Sequence, residues 1–305
     1  MYSKGVFQNH PYTEGPRDKA FAITRDDIFP FIYPTPEAGM KYSDISYIYV
    51  STEEFTCSNY DVAPGSRFDP PDYHAGDEIY IVLEGTLTML NTVSGQVVEV
   101  HEGEGLVMPM GAVHVGYNFT QKKTRTMAYL APKIFADQGF PTDTVGQYNI
   151  FNAKGGKKFE SFAKFPGTNY VGNIGDLGAW PIDGPTSRQY PQMFHYVPEN
   201  KKLLVINGQT DPVLMKFIVS NDFINVAEII IPTGGTGARM TEPCCHEGDA
   251  TFYVDKGTLS VYILDTRESF QIRDREALFV PNGMTYQLFN YENEPLRVLF
   301  SAVKL

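Results

Sequence analysis

The sequence predicts an all-β protein built from two copies of one small unit, and two observations lead to this prediction. Short stretches rich in β-branched and aromatic residues, such as IYIVLEGTLTML and GLVMPM, are interrupted by Gly, Pro, Asn or Ser. This pattern is typical of small antiparallel barrels or sandwiches. In addition, the segment HAGDEIYIVLEGTLTML, which starts at His74, is matched by HEGDATFYVDKGTLSVY, which starts at His246, an offset of 172 residues.

The same offset relates several further pairs of residues along about fifty positions. These pairs are Gly85 and Gly257, Pro109 and Pro281, Gly111 and Gly283, Asn118 and Asn290, and Arg125 and Arg297. Self-similarity at a fixed offset is the signature of a repeated structural unit. We therefore expect two copies of one β unit in the chain.

Four segments are expected along the chain. Residues 1–45, which include NHPYTEGPRD and FPFIYPTPEAG, are interpreted as an extended arm, and such arms often cover an edge strand or reach a neighbouring subunit. Residues 46–140 are expected to form the first barrel and residues 196–305 the second. Residues 141–195, rich in Gly, Pro, Asn and aromatic side chains, are expected to form a packed connection.

The charge balance argues against two classes of partner. The 305 residues include 25 Lys and Arg against 36 Asp and Glu, a formal net charge of −11. Such a surface repels phosphate backbones and anionic lipid, and no apolar run approaches the roughly 18 residues of a membrane span. We therefore expect neither nucleic acid nor a membrane as a partner.

The cysteines and the N-terminal segment favour a cytoplasmic protein. The opening MYSKGVFQNHPYTEG has no apolar secretory segment. Only three cysteines occur, Cys57 and the adjacent pair Cys244 and Cys245, and this number and spacing do not suggest a disulfide framework. The adjacent pair is expected to be buried and unreactive.

Four polar residues are predicted to form a metal centre in the first unit. Side chains two positions apart on an extended strand share a face, so Asp72 and His74 point the same way and Glu78 keeps the parity. A later antiparallel strand can bring His114 opposite them. Burying two imidazoles and two carboxylates without a counter-charge is costly, and a divalent cation removes that cost. We predict one transition metal ion per chain, with iron favoured and Mn, Zn, Ni and Co as alternatives.

At these residues the chain resembles the cupin superfamily in its two-barrel form, the bicupins. The second cupin motif, G-x5-P-x-G-x2-H-x3-N, is matched by Gly103, Pro109, Gly111, His114 and Asn118. The first, G-x5-H-x-H-x(3–4)-E-x6-G, is matched by His74, Glu78 and Gly85, while Asp72 takes the place of its first histidine. The resemblance implies two double-stranded β-helix (jelly-roll) barrels, with the metal inside the barrel.

Asp72 has three interpretations. If it binds the ion, two carboxylates neutralise a divalent charge, which makes a bound water less acidic and draws an anionic substrate less strongly. If it does not bind, His74, Glu78 and His114 form a two-histidine, one-carboxylate set with open positions for a chelating substrate and O₂. Asp72 is then available as a general acid or base, or it is structural.

The second copy has lost this ligand set. At the positions of Asp72, His74, Glu78 and His114 it carries Cys244, His246, Ala250 and Tyr286. Alanine cannot bind a cation and a neutral tyrosine binds one poorly, so no metal is predicted in the second barrel. This barrel is expected to serve as a packing partner or to bind a small ligand without metal. Asp77 and Asp249, at odd positions, are expected to point away from the ligand positions.

Fold does not determine function, and three functions stay open. The favoured one is a dioxygenase-type enzyme that cleaves a C–C bond of a small, metal-chelating oxygenated substrate, with Asp72 and Glu78 as catalytic residues. The second is a Lewis-acid metal enzyme, an isomerase, decarboxylase, lyase or hydrolytic C–C cleaving enzyme, with a carboxylate base. The third is a non-enzymatic bicupin that binds a small molecule or is structural. A homodimer is expected in each case.

Overall fold

The structure is a computed structural model that describes residues 18–33, 44–52, 54–67, 71, 73–74, 76–131, 170–171, 180–182, 184–208, 210–233, 239–241 and 243–303. The described chain consists almost entirely of strands, apart from one short helix, α1 (Gly184–Gln189), and one turn of 3₁₀ helix (Glu199–Lys201). The predicted all-β class is confirmed. In the described part of the chain, none of the helices has the length and apolar character needed to span a membrane.

The strands, in chain order, are β1 (Phe21–Ile23), β2 (Phe29–Tyr33), β3 (Asp44–Ser51), β4 (Thr56–Val62), β5 (Asp77–Glu84), β6 (Thr86–Leu90), β7 (Val97–His101), β8 (Gly105–Met108), β9 (Val115–Tyr117), β10 (Thr124–Ala131), β11 (Tyr170–Val171), β12 (His195–Val197), β13 (Leu203–Asn207), β14 (Val213–Ser220), β15 (Asn225–Ile231), β16 (Arg239–Met240), β17 (Ala250–Val254), β18 (Leu259–Ile263), β19 (Glu268–Ile272), β20 (Glu276–Val280), β21 (Tyr286–Asn290) and β22 (Leu296–Ala302).

The described residues divide into two units. The first contains those of Phe29–Ala163 and Ile182–Asn200, and the second contains those of Gly15–Ile28, Lys164–Pro181 and Lys201–Leu305. The duplication inferred from the sequence thus corresponds to two units of strands. The exact domain limits that the sequence suggested stay a prediction.

The first unit consists of two sheets that enclose an apolar core. A seven-stranded sheet has the order β12-β8-β5-β10-β4-β3-β2, and a three-stranded sheet has the order β7-β6-β9. Tyr80 and Leu106 from the larger sheet are buried in one cluster with Leu87, Met89 and Val115 from the smaller sheet. The face of the larger sheet that carries Tyr80 is therefore the inner face of the barrel, as expected for alternating side chains on a strand.

The second unit has the same two-sheet plan. Its larger sheet has the order β1-β20-β17-β22-β15-β14-β13-β11, and its smaller sheet the order β16-β21-β18-β19. The short strand β1, from the segment predicted to be an arm, pairs antiparallel with β20, and the rings of Phe21 and Phe279 stack with centroids 4.9 Å apart. In this stretch the segment covers the edge of β20, one of the two roles expected of it.

Equivalent contacts hold equivalent turns in the two units. The side-chain amide of Asn118 donates a hydrogen bond to the carbonyl oxygen of Lys122 at 2.7 Å, and that of Asn290 donates to Glu294 at 2.9 Å. Both asparagines are completely buried. Because a buried amide must find partners, these residues fix the loop that leads into β10 in the first unit and into β22 in the second.

Candidate metal centre

Two turns and one strand bring the candidate ligands together. After Asp77 and Glu78, β5 continues through the apolar and aromatic run IYIVL and ends at Glu84. Glu78 lies opposite Met108 of β8 and Leu130 of β10, on the inner face. His74 lies in the loop before β5. The backbone amide of Gly111 donates to the carbonyl oxygen of His74 at 2.8 Å, which joins that loop to the turn that precedes His114.

His74, Glu78 and His114 place their ligand atoms within 4.8 Å of one another. The Nε2 atom of His114 lies 2.9 Å from Oε2 of Glu78, and the Nε2 atom of His74 lies 3.4 Å from the same oxygen. The two imidazole rings have centroids 5.3 Å apart. Three of the four predicted ligands therefore meet at one point inside the first barrel.

The orientation of His114 suits a metal ligand. Its Nδ1 atom lies 2.9 Å from the carbonyl oxygen of Ala112, which can only accept, so Nδ1 donates a hydrogen bond to that oxygen. The Nε2 atom is directed towards Glu78. A backbone carbonyl that holds the second nitrogen of a histidine in this way is a common feature of metal-binding imidazoles, because it fixes both the tautomer and the ring orientation.

The carboxylate of Glu78 lacks ordinary partners. Glu78 is 1% exposed, and within the described parts of the chain neither of its oxygens has a contact with hydrogen-bond geometry. Burial raises the pKa of Glu78, but charge interactions with His74 and His114 outweigh it and hold this pKa well below the usual range. A buried carboxylate without hydrogen bonds is costly, and a cation between the three side chains offsets that cost. The donor set of two imidazoles and one carboxylate fits a divalent transition metal.

The fourth predicted ligand, Asp72, lies outside the described residues, so its three interpretations stay predictions. Asp77 points away from the ligands, as predicted: its Oδ1 accepts a hydrogen bond from the backbone amide of Met110 at 2.8 Å. Asp249 makes the same contact with the amide of Asn282 at 3.1 Å. The sequence indicated the direction of these side chains but not their role, which is to hold the turn after β8 or β20.

Aromatic side chains surround the candidate centre on the inner face. The ring of Tyr80 meets that of His114 edge to face, with centroids 6.4 Å apart, and meets that of Tyr60 in the same way at 6.0 Å. Tyr80 and Met108 belong to the buried cluster of the barrel. Tyr60 belongs to neither sequence motif, and its position on the inner face depends on the register between β4 and β10.

The corresponding place in the second unit satisfies its own polar groups. The Nε2 atom of His246 and the hydroxyl of Tyr286 are joined by a hydrogen bond, and this Nε2 lies 3.8 Å from Sγ of Cys244. Burial lowers the pKa of His246 to about 4 and raises the pKa of Tyr286 well above its ordinary value. Both side chains are therefore neutral near pH 7, and Ala250 leaves no carboxylate to be compensated.

One expectation about the cysteines is wrong. Cys57 is completely buried, but Cys244 is only partly buried and Cys245 is exposed. The sequence led to the expectation that the adjacent pair is buried. Both residues lie in the loop before β17 rather than in a strand, and adjacent side chains of an extended segment point to opposite sides, so only one of them can face the barrel.

Comparisons with known proteins agree with this architecture. Residues 59–129 match the family model described as "Cupin domain". The protein Ylba from E. coli is 10% identical, with 99% of this chain and 97% of that chain covered and a TM-score of 0.57. The oxalate decarboxylase of Lactobacillus farciminis, in complex with formate, is 13% identical, with coverages of 93% and 86% and a TM-score of 0.56.

A mutant of oxalate decarboxylase from Bacillus subtilis is 17% identical, with 93% of this chain and 77% of that chain covered and a TM-score of 0.56. Such identities show a shared fold and nothing about the reaction. No curated protein matches the chain in sequence. The resemblance that the motifs suggested is confirmed, and so is the fold of two jelly-roll barrels.

Proposed function

Because this is a protein of bicupin architecture with a cupin domain in its first half, we propose that it is a metal-dependent enzyme. Its substrate is a small oxygenated molecule that chelates the ion held by His74, Glu78 and His114. The observation that carries this proposal is the buried Glu78 carboxylate, which lies 2.9 Å from His114 yet has no hydrogen bond in the described parts of the chain.

The favoured reaction is an oxidative C–C cleavage that adds the two atoms of O₂ to the substrate. His74, Glu78 and His114 would hold the ion with three donor atoms, and a set of two histidines and one carboxylate would leave open positions for a chelating substrate and O₂. When iron(II) is bound, it supplies the O₂ chemistry of this reaction. One ion per chain is proposed, since Cys244, His246 and Tyr286 satisfy one another.

The protein's own residues then position and shield the reactants. Ala112 holds the ring of His114 in one orientation through the contact with Nδ1. Tyr80 and Met108, both nearly completely buried, exclude water from the inner side of the centre. Glu78 stays ionised because its pKa is held low, and it supplies one negative charge to the ion. Asp72 either completes the ligand set or moves a proton on the substrate.

The alternative is a Lewis-acid reaction, such as isomerisation, decarboxylation or hydrolytic or lyase C–C cleavage, with Mn, Zn, Ni or Co in the same site. It is favoured by Asp72, two positions from His74 in the sequence, where a free carboxylate can act as base. A non-enzymatic binding role is the third possibility.

The three free cysteines and the acidic composition support a cytoplasmic protein. We also propose that the protein forms a homodimer.

Metal analysis of the purified protein tests the shared premise. We expect about one equivalent per chain, lost in His114→Ala and retained in Tyr286→Phe, which changes the equivalent position of the second barrel. Less than a tenth of an equivalent after reconstitution with Fe(II), Mn(II) or Zn(II) would leave only the binding or structural role. Oxygen consumption by the Fe(II) form with candidate substrates separates the two reactions: uptake is expected for cleavage and none for the Lewis-acid reaction.

A further inference from the structure

We propose that Ser58 and Ala128 form a substrate subsite beside the metal centre, in which the Ser58 hydroxyl binds a polar atom at the far end of the chelating molecule. This inference rests on the proposed function and extends it to the substrate's second polar group. It concerns residues that belong to neither cupin motif.

The strand register places Ser58 on the wall of the site. Tyr80 lies opposite Ala128, and Ala128 lies opposite Ser58. Cross-strand partners in an antiparallel sheet project from the same face, and Tyr80 and Ala128 both belong to the buried cluster inside the barrel. Ser58 therefore faces the interior on the same side of the sheet as Glu78, which lies two residues before Tyr80 on β5.

The hydroxyl of Ser58 has no partner in the described parts of the chain. Ser58 is 0% exposed, and its Oγ atom makes no hydrogen bond with any described residue. Most buried polar side chains are hydrogen-bonded, and each exception calls for an explanation. A ligand atom in the barrel interior provides one, because it would take the place of the missing partner when the site is filled.

In the second unit, aromatic rings fill the region that corresponds to the proposed subsite. At the offset of the repeat, Tyr80 corresponds to Phe252 and Ala128 to Phe300, and Phe300 lies opposite Ala227 where Ala128 lies opposite Ser58. The centroid of Phe300 is 5.3 Å from that of Phe252 and 5.2 Å from that of His246. At the position of the Phe300 ring, the first unit has only the methyl group of Ala128, opposite the hydroxyl-bearing Ser58.

The spacing indicates the class of ligand. β4 and β5 are separated by one strand, so Ser58 and the Glu78 region lie roughly 10 Å apart across the sheet. A molecule that bridges them has two chelating oxygens at one end and a hydrogen-bonding group several bonds away. That group is a neutral hydroxyl or carbonyl, because a lone serine does not offset the cost of burying a second charge.

Matched hydroxamates test the subsite without any turnover. The Co(II) form is titrated with unbranched alkyl hydroxamates of four to six carbons, each with and without a terminal hydroxyl, and the visible spectrum of the ion reports binding. We expect the hydroxyl to tighten binding of one chain length roughly 3–10-fold, the effect of one hydrogen bond. Ser58→Ala should abolish this advantage, while the hydroxyl-free hydroxamate binds as before.

Two variants separate failure of the subsite from failure of the metal centre. Ser46→Ala removes another completely buried hydroxyl without a partner among the described residues, on the neighbouring strand β3, and should keep the advantage. Ala128→Phe, which copies the second unit, should keep Co(II) but lose all hydroxamates. Two outcomes would contradict the proposed subsite. In the first, Co(II) binds but the terminal hydroxyl does not tighten hydroxamate binding at any chain length. In the second, Ser58→Ala leaves the tighter binding of the hydroxylated hydroxamate unchanged. If Co(II) does not bind the wild type, the proposed function fails first.

Discussion

The carboxylate of Asp77 accepts a hydrogen bond from the backbone amide of Met110 at 2.8 Å, across 33 positions of the chain. Met110 lies in the turn between β8 and His114, and Asp77 directly precedes Glu78 on β5. One hydrogen bond thus ties the segment that carries one candidate ligand to the strand that carries another. Asp249 makes the equivalent bond in the second unit, where no carboxylate ligand is left to be positioned.

Asp77→Ala should lower the affinity of the first unit for a metal ion, because it removes the hydrogen bond between β5 and the turn before His114. Loss of a group that orients a metal-binding side chain typically costs 10–100-fold in affinity, and we expect about 10-fold for Zn(II) in a competition titration with a chelator. Asp249→Ala is the matched control, because it removes the same contact from the second unit. If the two variants lower zinc affinity equally, Asp77 has only a general structural role.

Glu78 is expected to stabilise the metal-free protein. His74 and His114 hold the pKa of Glu78 below its ordinary range, so the ionised carboxylate contributes to folding stability above the unfolded pKa, and this contribution is lost in acid. At pH 7, Glu78→Met leaves His74 and His114 without their carboxylate partner, so the metal-free variant should unfold at a lower urea concentration than the wild type. Metal should stabilise the wild type only. Unfolding at the same or a higher urea concentration would contradict a stabilising interaction between Glu78 and the two histidines.

Buried histidines predict a loss of stability in acid. Burial lowers the pKa of His195 to about 4 from its ordinary 6.5, so the unfolded chain takes up a proton as pH falls below 6.5 and the folded chain does not. Folding stability is therefore lost between pH 6.5 and 4, by up to about 3 kcal/mol for this residue. His195→Met should show a smaller decrease than the wild type in urea unfolding over this range. Equal slopes would show that His195 is not neutral and buried in solution.

Tyr286→Phe should destabilise the second unit. Tyr286 is 4% exposed and its hydroxyl is hydrogen-bonded to the buried His246, so its removal leaves the imidazole without this partner. We expect a loss of about 1–3 kcal/mol in the free energy of unfolding. The metal content should stay that of the wild type. Gain of a metal ion by this variant would contradict the separate roles assigned to the two units.

The three cysteines should differ in their reaction with a disulfide reagent such as DTNB. Cys245 is exposed and should react fast, whereas burial raises the pKa of Cys244 and should make its thiol react slowly. Cys57, completely buried, should react only after unfolding. Cys245→Ser should remove the fast phase. A fast phase that persists in this variant would show that Cys244 or Cys57 is accessible.

The sequence predicted the repeated unit, the cupin motifs and the three candidate metal ligands that lie together because each depends on local spacing. The turn glycines, the strand parity of Glu78 and the offset from His74 to His246 are all visible within short segments. In contrast, the pairing of β1 with β20 and of β12 with β8 joins strands that are distant in the sequence. Such short strands have no pattern of their own, and their partners are fixed by tertiary packing.

The candidate subsite also combines a feature that the sequence shows with one that only the folded structure shows. The difference between Ala128 and Phe300 can be read from the repeat, but Ser58 becomes part of the same wall only through the register of β4 against β10. At this strand the offset between the copies is 168, from Pro64 to Pro232, which pairs Ser58 with Val226. The strand register instead makes Ala227 the counterpart of Ser58. The isolation of Ser58 from other polar groups is a property of packing and has no signal in the sequence.

The pairing of β1 with β20 also sets an order of events during synthesis. Ile23 pairs with Ala277, so some 250 residues must be translated before the first strand meets its neighbour. At about 5–20 residues per second, this interval is roughly 10–50 s. Throughout this interval, the hydrogen-bonding edge of β1 is available to other nascent chains. If a ribosome stalls before β20 is made, the second unit lacks the strand with which β1 pairs.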